Sequence, residues 1–104
     1  MRKPSHKWAR KTCVVTNNEK PIIISISGRE LWMLLELDAA GSTGCTALQY
    51  APGIRLAAYV YKLRKRGVEI ATYREPNDGS FPGTHGRYVL MSQIAWNIDT
   101  EVRI

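Results

Sequence analysis

Two cysteines, two histidines and one phenylalanine are the chain's whole supply of those residues in 104 positions. Cys13 and Cys45 form no CxxC pair, and His6 and His85 lie in separate segments, which is too little for a structural zinc site. We expect two reduced, inert thiols and no bound metal or cofactor. The uninterrupted apolar runs, Leu31 to Leu35 among them, are far short of a membrane span. The basic N-terminus is followed by no apolar stretch with a small-residue cleavage site, so no secretory signal is read. These absences lead to the expectation of a cytoplasmic protein that does not enter a membrane. There is no Gly-x-Ser-x-Gly elbow, P-loop or His-Glu-x-x-His, and glycines 79, 83 and 86 do not follow a dinucleotide-binding spacing. The acids Glu30, Glu36 and Asp38 belong to one helix surface, with no evident catalytic partner. The expectation is a protein that is not an enzyme.

Acidic residues are missing from two particular places. Arg2, Lys3, Lys7, Arg10 and Lys11 lie in the first eleven residues without an acid, and Arg55, Lys62, Arg64, Lys65 and Arg66 lie between 55 and 66, again without one. All nine acids are elsewhere, where they outnumber the bases, although the net charge is +6. A basic tail and a basic segment on a slightly acidic body suit contact with a polyanion on one face. The plainer reading is a solvated cationic surface with a solubilising tail.

The order of elements follows from periodicity. Residues 1–11 read as a basic mobile arm, in which Trp8 is the residue able to dock. Thr12 to Thr16 and Ile22 to Ile26 are β-branched strands separated by a turn at Asn17 to Pro21. Ser27 and Glu30 have the spacing of a capping box for a helix over 30–40, with Leu31, Leu34 and Leu35 on its apolar stripe and Gly41 and Gly44 ending it. Thr46 to Tyr50 predicts a short helix, broken by Pro52-Gly53. A helix over 54–66 places Leu56, Val60 and Leu63 toward a core. Arg55, Lys62 and Arg66 fall within roughly 40° of one another on another side. Val68 to Arg74 and Gly86 to Met91 alternate as two strands of a hairpin, with turn signals at Asn77-Asp78-Gly79 and Pro82-Gly83. Residues 93–104 read as a C-terminal extension that can supply a further strand. Trp32 and Trp96 read as core or domain-edge aromatics.

Within this order, Arg55-Leu56-x-x-x-Val60-x-x-Leu63-Arg64-x-x-Gly67-Val68-x-Ile70 resembles the recognition helix and first wing strand of small bacterial and phage winged helix-turn-helix proteins. Gly83-Thr84-His85-Gly86-Arg87-Tyr88-Val89-Leu90 is similar to their returning wing strand, and the resemblance covers about residues 28–91. It implies an α+β winged helix: a three-helix core with a β-hairpin wing, here preceded by N-terminal strands and occupying residues 12–92. The middle helix, 46–50, is short, and Ala51-Pro52-Gly53 makes a longer break than a tight helix-turn-helix turn.

The implied function is double-stranded DNA binding by a small transcriptional regulator or a phage-derived protein, with the third helix in the major groove. Arg55 suits a base edge, because arginine can donate two hydrogen bonds to guanine. Ala58 and Tyr59 suit close approach to bases, while Lys62, Lys65 and Arg66 suit phosphates. On the wing, Arg74, His85 and Arg87 are candidates for backbone or minor-groove contact. Each has a duller reading: Arg64 and Arg66 can cap the helix end, Tyr59 and Tyr61 can be packing residues, and His85 can be a plain loop residue. The competing function is a protein-contact module using Tyr59, Tyr61 and Trp96, or a homodimer.

Overall fold

The computed structural model describes residues 8–77 and 82–96. The first seven residues of the basic arm, most of the wing tip and the last eight residues therefore lie outside it. Strands β1 (Lys11–Asn17) and β2 (Lys20–Ile26) form a hairpin. Each is longer than the β-branched run alone predicts, because only Asn18 and Glu19 turn the chain. Both adopt positive φ (53° and 67°), the two-residue geometry that matches strand twist. Strand β6 (Gln93–Trp96) pairs with the other side of β1, giving the order β2-β1-β6. Alternation then sends Cys13, Val15, Ile24 and Ile26 inward, joined by Ile94 and Trp96, while Ile23 stands out from the opposite face.

Helix α1 (Gly28–Ala40) buries Leu31, Met33, Leu34 and Leu37. The expected capping box is not formed. Ser27 occupies the N-cap position without a side-chain bond, and the Glu30 carboxylate is engaged by Arg66 beyond the end of the next helix. At the other end Gly41, at φ 56°, turns the chain, and its N–H closes on the Leu37 carbonyl.

The expected helix over 46–50 is also not formed, and among the described residues there are two α-helices rather than three. Cys45–Thr46 is instead a two-residue strand, β3, followed by a single 3-10 turn at Ala47–Gln49. The reason is local. The Thr46 hydroxyl accepts from the Leu48 amide at 3.2 Å, and the Gln49 side chain accepts from the Thr46 amide at 2.7 Å. The cap is well made, but extended pairing on one side and Pro52-Gly53 on the other leave room for only one turn.

Helix α2 (Leu56–Lys65) buries Leu56, Val60 and Leu63, the face expected from the sequence. Strands β4 (Ile70–Pro76) and β5 (Thr84–Leu90) follow, paired from Ile70↔Leu90 to Pro76↔Thr84. The wing is thus shifted toward its tip relative to the expected strands. Val68 is spent on the helix end, its amide bonding the Leu63 carbonyl and its side chain buried. With β3 against β5, the second sheet has the order β3-β5-β4.

Small polar side chains tie the two sheets to α2. Asn17 donates to the Gly67 carbonyl at 2.7 Å and accepts from the Ser92 hydroxyl, which also accepts from the Glu69 amide at 2.8 Å. These bonds fix the α2–β4 junction against β1 and the approach to β6.

Gly44 admits no side chain. Its φ is 71°, and a Cβ there would stand 2.5 Å from the Tyr88 carbonyl oxygen and 2.8 Å from a Val89 methyl. Gly41 shares the positive φ but faces open space. Both alanine variants incur backbone strain, and only Gly44→Ala adds overpacking. We expect Gly44→Ala to lose about 2 kcal/mol more stability than Gly41→Ala in urea unfolding.

Candidate nucleic-acid interface

The exposed side of α2 carries the cations that the sequence singled out, but they are not equivalent. Arg55 is the N-cap residue and Lys62 lies two turns on; both are exposed and neither has an ion-pair partner among the described residues. Lys65 is exposed, with its ammonium 5.4 Å from the centre of the Tyr61 ring, so cation and ring are presented together. Arg66 is exposed but paired with Glu30 of α1 at 2.5 Å, which neutralises it and joins the two helices. Ala58 is half-buried. Tyr59 is also half-buried: Arg29 donates to its hydroxyl at 2.8 Å, and its ring meets Trp32 edge-on at 6.3 Å. In this structure Tyr59 therefore packs α2 onto α1.

Arg64 points elsewhere. Its guanidinium donates to the Ile70 carbonyl (2.6 and 3.2 Å) and to the Thr72 hydroxyl at 2.8 Å, bracing the first wing strand against the helix. The sequence suggested only a helix cap for it. Its partner becomes visible once Gly67, at φ 104°, reverses the chain.

On the wing, Arg74 is exposed without a carboxylate partner among the described residues. His85 and Arg87 instead converge on Glu75. Arg87 makes two bonds to the carboxylate, at 2.5 and 3.1 Å, and a third to the Thr43 carbonyl at 2.9 Å. His85 lies directly across the ladder from Glu75, with Nε2 3.1 Å from its carboxylate and Nδ1 2.8 Å from the Asn77 side-chain oxygen. Sequence reasoning missed Glu75, because the pairing that places it opposite His85 is set by the hairpin register and not by proximity in the chain. The Arg87 guanidinium holds the Glu75 carboxyl below the usual glutamate range, helped by His85 and opposed by partial desolvation.

Other chemistry is sparse. Burial pushes both thiols up and so keeps Cys13 and Cys45 protonated. Among the described residues no three His, Cys, Asp or Glu side chains are grouped to hold a metal. No helix there is long and apolar enough to cross a membrane.

A group whose pKa is lowered on folding stabilises the native state above its unfolded pKa, and that contribution is lost as pH falls through the folded value. The Glu75 cluster should therefore contribute fully at neutral pH and lose its contribution below about pH 4.3, the ordinary glutamate pKa. In Glu75→Gln we expect a smaller fall in the denaturant midpoint between neutral pH and pH 3 than in the parent protein.

A helix whose apolar face sits on a core and whose opposite face is cationic, followed by a hairpin paired to a short strand that precedes it, is the geometry on which the comparisons bear. No curated protein and no solved structure matches the chain. A family model described as a winged helix domain matches residues 23–99, which include both helices and the hairpin, and the chain therefore belongs to the winged helix family.

Proposed function

We propose that the chain binds double-stranded DNA, as a small transcriptional regulator or a phage-derived DNA-binding protein, and that it acts by binding and not by catalysis. The reading rests on one observation: Arg55, Lys62 and Lys65 stand exposed, with no carboxylate partner among the described residues, on a helix that carries no acid, with the hairpin bearing Arg74 next to it. In this arrangement α2 lies in the major groove and β4–β5 along the backbone or a neighbouring groove. Arg55 reads a base edge, and Lys62 and Lys65 hold phosphates. Ala58 lets the helix come close to the bases. Arg66, His85 and Arg87 contribute by posture: they hold α2 and the wing in place and add charge at the margin. Tyr59 sets the position of α2 through Arg29 and Trp32.

The second reading is a protein-contact surface. Tyr61 and Tyr73, 60 % and 52 % exposed, favour it, because aromatic residues are enriched in such interfaces. Trp96 weighs less, since it is half-buried and donates its indole N–H to Asp38 at 2.8 Å.

Gel-shift titrations against salt on a selected duplex and on random duplexes separate the two. DNA binding requires affinity to fall steeply with salt. Lys62→Ala should weaken all duplexes alike and reduce the slope of log K against log salt by about 0.9. Arg55→Ala should narrow the gap between selected and random duplex by about 1–3 kcal/mol. Equal losses from both variants on every duplex would overturn the assigned roles, and no duplex binding at low salt would favour the protein-contact reading. A palindromic selected site would establish a two-fold homodimer on DNA.

A further inference from the structure

Where the start of α1 faces α2 there is an open cavity of about 440 Å3, lined by Trp8, Arg29, Trp32, Ile54 and Tyr59. Its size lies in the range of small-molecule sites, about 300–1,000 Å3. Its walls set three aromatic rings and an isoleucine beside one guanidinium. Trp32 is held edge-on between Tyr59, at 6.3 Å, and Tyr50, at 5.5 Å, so the wall is preorganised. Arg29 supplies the charge. It is exposed, spends one donor on the Tyr59 hydroxyl, and has no carboxylate in ion-pair range among the described residues. The neighbouring Glu30, the acid closest in sequence, is taken by Arg66. A guanidinium carries five N–H donors, so a planar two-oxygen anion can still be held.

A larger cavity of about 850 Å3 lies between the end of α1, the wing and β6, but there Arg87 is already neutralised by Glu75. It has no comparable charge to offer.

We propose that the smaller cavity binds a planar aromatic carboxylate, its ring against Trp8, Trp32 and Ile54 and its carboxylate on Arg29. A single cation matches a monoanion; a polyphosphate or a nucleic-acid backbone needs several. The apolar majority of the wall excludes a small inorganic anion as the fitted occupant. This inference does not depend on the DNA reading.

The test uses the full chain labelled with 15N, following the three indole N–H signals on addition of 1-naphthoate. Trp8 and Trp32 line the cavity, whereas Trp96 is bonded to Asp38 and serves as an internal control. We expect saturable shifts of the Trp8 and Trp32 signals at millimolar concentration or below, with Trp96 unmoved. The neutral amide, 1-naphthamide, should bind at least about tenfold more weakly, since it loses a charge-assisted bond. Arg29→Gln should abolish the preference for the acid while leaving the Trp96 signal in place, which reports an intact fold. Equal binding of acid and amide, equal movement of all three indoles, or shifts at Trp8 and Trp32 produced by duplex DNA but not by naphthoate would each overturn the proposal.

Discussion

The burial of α1 is the constraint on which the other elements depend. A chain of this length has material for one core, and Leu31, Met33, Leu34 and Leu37 leave no side of the helix's inner half uncovered. One cluster of buried side chains joins α1 to Cys13, Val15 and Ile26 of the first sheet and to Leu56, Val60 and Leu63 of α2. It continues into Val68 and Ile70 at the start of the wing. The helix proposed to meet DNA is therefore positioned from behind, by aliphatic packing, and of its cations only Arg64 and Arg66 have structural duties.

Polar contacts then set the orientation that apolar packing leaves loose. Arg64 braces the wing on α2, Arg66 joins α2 to α1 through Glu30, and Arg87 joins the wing to the α1–β3 turn. Three arginines of a basic protein are thus structural. Charge counted along the sequence overstates what the surface offers, since the guanidinium groups of Arg66 and Arg87, each neutralised by a carboxylate, have little attraction left for a phosphate.

Much of this was legible in advance. The core faces of both helices, the strands of the hairpins and the glycine after α2 follow from 3.6- and 2-residue periods, which depend on near neighbours alone. The missing second helix was not legible. Thr46 and Gln49 have good helix-start chemistry, and only the pairing of Cys45–Thr46 with Arg87 and Tyr88 shows that the chain is extended there. The pairing of Glu30 was not legible for a similar reason, because its partner, Arg66, lies 36 residues away.

The sequence by itself determined the two hairpins, the two long helices with their apolar faces and the acid-free stretch between 55 and 66, because each rests on residues within a few positions of one another. Only the tertiary structure decided which of the basic side chains face outward unpaired. On α2 and the wing, Arg55, Lys62, Lys65 and Arg74 do so with no carboxylate partner among the described residues, while Arg66 and Arg87 are claimed by Glu30 and Glu75 and Arg64 by the wing's first strand. The physical reason is that an ion pair depends on distance in space, and register and helix packing set that distance where spacing along the chain does not.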